Sequence, residues 1–231
     1  MIRFFRNIRQ KLAAENKVMA YLRYAIGEIV LLVVGILIAL QINNWNELRK
    51  QSIAQTEFIK GVKKDLTQDK QYIELVLKLM EPKIETFNLL NNKEFLKSHN
   101  ENIDTLFHNY FTTQRTFYPV TGSFQSAVAG NEINNYGNKD ISALIIKLYN
   151  STYSRVIDNG KILDDRWDYL TKKYSYGRRT GNFRVTDNAK FSEIMDDIYY
   201  HYLELQWYRG VLKDSLIEID ELLNKINDEI L

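Results

Sequence analysis

The chain contains no cysteine. That absence excludes disulfide frameworks, thiolate zinc sites, a thiol nucleophile and an acylated lipoprotein cysteine. It leaves the compartment open, because many proteins outside the cytoplasm simply avoid thiols. Proline occurs twice and glycine ten times in 231 residues, which favours long uninterrupted helices over a many-turned sheet. An excess of one charge is also missing. With 31 Lys and Arg against 29 Asp and Glu, no global basic field points to nucleic acid, and none is expected as a partner.

What is present is one strongly apolar run. Ile29 to Leu40 has no polar side chain, and Ala25–Ile42 as a helix is about 27 Å long, close to the hydrocarbon core of a bilayer. Tyr21 and Tyr24 precede the run and Trp45 follows it, where interfacial aromatics belong. The apolar character goes all the way round, more than a half-buried core helix requires. No small-x-small cleavage site follows, since Leu37 stands two residues before Ala39, so an uncleaved signal anchor is expected over a removed signal peptide. No second apolar span exists to complete a hairpin.

Charge orients the span. Arg3, Arg6, Arg9, Lys11, Lys17 and Arg23 precede it with only Glu15 against them, whereas Arg49, Lys50 and Lys60 are sparse on the other side. The positive-inside rule places the N-terminus in the cytoplasm and the larger part outside, which in a Gram-negative cell means an inner-membrane protein with a periplasmic domain. Three regions follow: a basic amphipathic cytoplasmic segment at 1–23, a transmembrane helix at 24–44 and a helical extracytoplasmic domain at 45–231. In the first, Phe5, Ile8, Leu12, Met19 and Leu22 step along one face. That pattern fits a helix lying on an anionic leaflet, and equally a plain basic topology signal.

Within the span, Glu28 is a candidate intramembrane polar site. It is either a functional acid or a hydrated group at the cytoplasmic rim. Gly27, Gly35 and Ala39 share a face, and Gly35-x-x-x-Ala39 is a small-xxx-small step on which another helix can pack closely.

Read together, FFRNIRQKLAAENK at 4–17 and YLRYAIGEIVLLVVGILIALQINNWNE at 21–47 carry a family likeness, above all in Glu-Asn-Lys at 15–17, Ala-Ile-Gly-Glu at 25–28 and Gln-Ile-Asn-Asn-Trp-Asn-Glu at 41–47. They resemble the opening of a large family of single-pass proteins of the Bacteroidota whose function is uncharacterised. TGSFQSAVAGNEINNY at 121–136 resembles a second shared stretch. The likeness is strongest over residues 1–50. It implies an inner-membrane anchor and a helical domain, and brings no activity, cofactor or catalytic residue.

Beyond the span the helical pattern continues. Trp45, Ser52, Ile59, Leu66, Ile73, Met80 and Phe87 recur every seven residues, with Leu48, Val62, Val76 and Leu90 three further on from several of them. Pro82 removes a backbone donor, so a kink or restart after Glu81 is expected. At the other end Phe191, Ile198, Leu205, Leu212, Ile219 and Ile226 repeat every seven, with Asp187 or Asn188 available as the cap. Weaker helices are expected at about 101–113, 123–130 and 139–174, and loops at 91–92, around 118–119, at 134–138 and at 174–186. The fold class expected is therefore all-α: a single N-terminal transmembrane helix followed by an antiparallel helical bundle. A free coiled-coil stalk fits less well, because consistent e and g charges are missing.

Chemistry is thin. His99, His108 and His201 are the only histidines, and no His-x-x-x-His or Glu-x-x-His pair accompanies them, so surface or hydrogen-bonded roles are expected and no metal site. Asp164-Asp165 and Asp196-Asp197 point apart on helices. Gly-x-Ser-x-Gly, a phosphate loop, a dinucleotide fingerprint and kinase signatures are missing, and Ser123 reads as a helix cap. Neither catalysis nor a cofactor is expected. The sequence KKYSYGRRTGNFR at 172–184 concentrates Lys172, Lys173, Arg178, Arg179 and Arg184 among aromatics; it is a candidate anion- or partner-binding loop, or else a solvated turn. The expected function is that of a membrane-anchored interaction or scaffold protein whose partners are the lipid bilayer and either another protein or a second copy. The alternative is an extracytoplasmic ligand-sensing or accessory subunit of a membrane complex.

Overall fold

The computed structural model describes residues 18–99 and 103–230, all helix, turn or irregular chain, with no strand among them. Two compact units divide after Ala54, the second beginning at Gln55. Compactness thus divides the chain ten residues beyond the hydropathy-based boundary at 44/45.

Helix α1, Val18–Leu90, contributes to both units. In the first unit every large apolar side chain from Ile29 to Ile42 is between 44% and 69% exposed. The most apolar 18-residue window of this helix has a mean hydropathy of 2.6 and no buried residue. It is the one helix among the described residues long and apolar enough to cross a membrane. The basic segment at 1–23 lies for the most part outside the described residues.

The second unit is a bundle of long helices. After α1 come α2 (Lys93–Ser98), α3 (Ile103–Tyr110), α4 (Gly122–Ala129), α5 (Glu132–Asn135), α6 (Lys139–Lys147), a π-helical turn (Leu148–Thr152), α7 (Tyr153–Lys173), α8 (Ser175–Thr180) and α9 (Asn188–Ile230). Side-chain pairs fix the directions. Lys70–Asp220 and Phe87–Tyr202 step oppositely along α1 and α9, so these two helices are antiparallel. Asn159–Trp207, Arg166–Glu204 and Lys173–Asp197 do the same for α7 and α9. α9 therefore lies antiparallel to both partners, as up-and-down bundle packing requires.

The heptad positions of the second unit form its core. Ile59, Leu66, Ile73, Met80, Val62 and Val76 join Leu205, Leu212, Ile219 and Ile226 in one buried cluster. A second cluster at the other end is largely aromatic, built on Phe87, Phe107, Tyr110, Phe111 and Phe183. Asp187 caps α9, its carboxylate accepting the Lys190 N–H at 2.6 Å.

Three local expectations change. Pro82 does not interrupt α1. Met80, Lys83, Phe87 and Leu90 are buried on either side of it, and that packing holds the helix through one missing backbone donor. The stretch 139–174 is not one helix, because the π-helical turn intervenes. The expected loop at 174–186 contains α8, closed by Gly181 at φ +73° with its N–H on the Gly177 carbonyl. Gly177 is needed for space, since a Cβ there would overlap the Phe183 ring.

Candidate functional site

Between α3 and α4 the chain runs from Phe111 to Thr121 without regular structure, and Phe111, Thr116 and Phe117 along it are buried. Buried backbone groups outside a helix or sheet must find other partners. Here the neighbouring helices supply them as side chains. Tyr208 of α9 accepts the Phe117 N–H on its hydroxyl at 2.9 Å. Asp69 of α1 accepts the Val120 N–H at 2.9 Å, and Asp65 accepts the Ser123 N–H at 3.1 Å. Asp65 thereby caps α4 from another helix, because Thr121 at the cap position makes no side-chain bond there. Ser123 lies inside the first turn instead of at the cap, close enough to Gly61 that a Cβ there would meet its hydroxyl at 2.7 Å.

The Asp69 carboxylate also accepts the Tyr153 hydroxyl at 2.6 Å. Burial pushes Asp69 up to about 6, against the two hydrogen bonds that favour its charged form, and Asp65 nearby pushes the same way as burial. The π-helical turn helps to build this corner. It turns Tyr149 and Tyr153 edge to face at 5.1 Å and stacks Tyr149 on Phe124 at 4.4 Å.

At the start of the same segment Lys83 is 1% exposed. Its ammonium donates to the carbonyls of Tyr110 at 2.7 Å and Thr112 at 2.9 Å, and stands 3.7 Å from the Trp167 ring centre. Lys83 thus satisfies carbonyls at the C-terminal end of α3, with the indole face as a further partner. Burial lowers it to about 7, and the Arg178 guanidinium adds to the effect.

His201, fully buried, completes the group. Its Nδ1 lies 2.7 Å from the Tyr110 hydroxyl and its Nε2 lies 2.7 Å from Gln114 Oε1. Gln114 Oε1 only accepts, so Nε2 carries the proton and Nδ1 accepts from Tyr110. This neutral imidazole agrees with a pKa lowered to about 3 by burial, with Lys83 and then Arg166 repelling a further charge.

The residues singled out in the sequence are distributed differently. Glu28 is half-buried and is not without a partner. Gly27 and Gly35 face open space, and Ala39 is exposed. Of the five bases, Lys172 and Lys173 belong to α7 and are held by acids: Lys172 by Asp168 at 2.5 Å, Lys173 by Asp197 at 2.7 Å and Glu193 at 2.8 Å. Arg184, at φ +57°, lies 3.9 Å from the Tyr176 ring centre. Arg178 and Arg179 are exposed, contact the faces of Trp167 and Tyr176, and meet no carboxylate among the described residues. His99 stacks on Phe95, and His108 is exposed. Among the described residues no three His, Asp or Glu side chains gather as a metal would need. Asp164 accepts from Thr116 and Asp197 from Tyr174, while their neighbours Asp165 and Asp196 face solvent.

Sequence reasoning missed Asp69 and Lys83, although a signal was present. They occupy the two gaps in the series Val62, Val76, Leu90, on the stripe that the apolar residues mark as buried. A charged residue on such a stripe is a buried polar group that needs a partner.

A family described as a family of unknown function, DUF6090, matches residues 28–200, well over half of the chain. No curated protein and no solved structure matches.

Proposed function

The chain belongs to the DUF6090 family of unknown function, and from that premise we propose that it is a membrane-anchored helical interaction protein of the inner membrane. The observation that carries this reading is the apolar stretch of α1, whose most apolar window has no buried residue. Such a surface finds its solvent in a bilayer. The bases before the span support a cytoplasmic N-terminus and a periplasmic bundle. A non-catalytic role is supported by the engagement of these buried groups, with Asp69, Lys83 and Tyr208 holding the 111–121 segment and Asp65 capping α4.

The interaction is self-association. On α9, Tyr200, Leu203 and Trp207 stay exposed at three- and four-residue steps, Gly210 three residues on has open space at its Cβ position, and exposed Ile217 follows seven residues later. That is the spacing of a helix-pair seam with a small residue where two backbones approach, and it suits a second copy packed about a two-fold axis.

The absence of cysteine makes the test simple. Single cysteines placed at Ala14 and Ser151 are treated with a membrane-impermeant maleimide on spheroplasts. Labelling of Ser151→Cys before lysis and of Ala14→Cys only after it is expected; the reverse pattern, or release of the protein by carbonate, sinks the anchor reading. Cross-linking in native membranes should trap dimers that Leu203→Asp/Trp207→Asp loses, and monomers alone would sink the self-association.

A further inference from the structure

Among the described residues, Lys83 is a buried cation that forms no ion pair. Lys83 is held by two carbonyls and an indole face, and the charged group that acts on its protonation is another cation, Arg178. A buried ammonium held only by neutral groups is costly, and the cost falls when an anion binds nearby. Above it lies a surface cavity of about 460 Å³ with Phe111 in its wall and His108, Thr112, Ser175, Arg178 and Arg179 around it. Thr112 links the two levels, since its carbonyl accepts from Lys83 while the residue lines the cavity. Among the described residues no carboxylate lines the cavity. Both arginines lack an acidic partner among the described residues, whereas Lys172 and Lys173 of the same basic stretch are neutralised by Asp168, Asp197 and Glu193.

We propose that this cavity binds a phosphate-bearing anion, gripped by Arg178 and Arg179 with hydroxyl donors from Thr112 and Ser175, over the positive field of buried Lys83. Both guanidiniums line the cavity, and each presents N–H donors that match phosphate oxygens in geometry as well as charge. The size lies within the range of small-molecule sites and leaves room for an organic part beside the phosphate. Phe111 offers that part an apolar wall. The site is independent of the anchor and of self-association. The phosphate can come from a lipid headgroup or from a soluble compound, and the chemistry of recognition is the same.

The test uses the full chain in nanodiscs with Trp45→Phe and Trp207→Phe, so that Trp167 beneath Arg178 is the sole reporter. One arm titrates inorganic phosphate in phosphatidylcholine discs at constant ionic strength against chloride. The other compares phosphatidylcholine discs with discs containing phosphatidylglycerol. A saturable change in Trp167 emission in either arm is expected. Response in the first arm alone assigns a soluble phosphate, and response in the second alone assigns a headgroup. Arg178→Gln/Arg179→Gln should weaken the response at least tenfold while helicity and melting temperature are kept. Lys172→Gln/Lys173→Gln should leave it unchanged. Silence in both arms overturns the proposal, as does equal weakening by the two double variants.

Discussion

The two ends of the bundle are held together in different ways. Around Leu66, Ile73, Leu212 and Ile219 the core is mostly aliphatic and comes from helix positions seven residues apart. Around Phe107, Tyr110, Phe111 and Phe183 it is mostly aromatic, and it encloses a lysine, a histidine and the start of an irregular segment. The aliphatic end is stabilised by area removed from water, which has no direction. The aromatic end depends on hydrogen bonds whose partners must be in place, since an orphaned buried group costs more than a satisfied one contributes. Packing should therefore dominate the stability of one end and protonation that of the other.

The largest effect should come from breaking the aliphatic end. Leu66→Ala and Leu212→Ala each remove a fully buried side chain, and such truncations cost about 2–5 kcal/mol. Thermal unfolding of the full chain in detergent, followed by circular dichroism, should show a clear drop for both variants that hardly depends on pH. A cost near that of a surface change would mean that the α1 and α9 stripes do not meet as described.

Lys83→Met should come next. It keeps most of the apolar stem and leaves the carbonyls of Tyr110 and Thr112 without their donor, a loss of about 1–3 kcal/mol for each orphaned group. Its signature is pH dependence. With its pKa lowered to about 7 from 10.5, Lys83 holds fewer protons folded than unfolded between those values. Wild-type stability should rise with pH across that window. Urea midpoints at pH 7 and pH 9.5 should show the rise in wild type and a smaller one in Lys83→Met; equal slopes would remove Lys83 from the account.

The contrast between the ends also explains what could be read in advance. The helices at 45–90 and 187–230 were legible because burial on one face imposes a seven-residue rhythm that Ile59, Leu66, Leu205 and Leu212 repeat. The same rhythm continues at Trp45 and Leu48, which are both 64% exposed, so periodicity announces a buried face without saying what covers it. The 111–121 segment was illegible because its backbone partners come from residues far away in sequence: Tyr208 is 91 residues from Phe117, and Asp69 is 51 from Val120. Among the bases at 172–184, composition marked a cationic surface, but only the placement of Asp168, Glu193 and Asp197 separated the neutralised lysines from Arg178 and Arg179.

The smallest effect separates the two ends most cleanly, because it is a difference of sign. Asp69 has its pKa raised from 3.8 to about 6, so the folded state holds more protons than the unfolded one in that window, and stability falls as pH rises through it. His201 has its pKa lowered from 6.5 to about 3, so the folded state holds fewer protons, and stability rises with pH from about 3 to 6.5. Between pH 4 and 6 the two groups oppose each other, and the wild-type profile carries only their difference. Asp69→Asn keeps an acceptor for the Tyr153 hydroxyl and abolishes the falling contribution, so its stability should climb more steeply with pH than that of wild type. His201→Gln should climb less steeply, or fall. Urea midpoints of the three proteins at pH 4, 5 and 6 read this directly, and other carboxylates cancel in the comparison with wild type. Slopes that move in the same direction would mean that the two ends do not differ in the sign of their proton linkage, and Asp69 would then have to be hydrated more fully than its contacts with Tyr153 and Val120 allow.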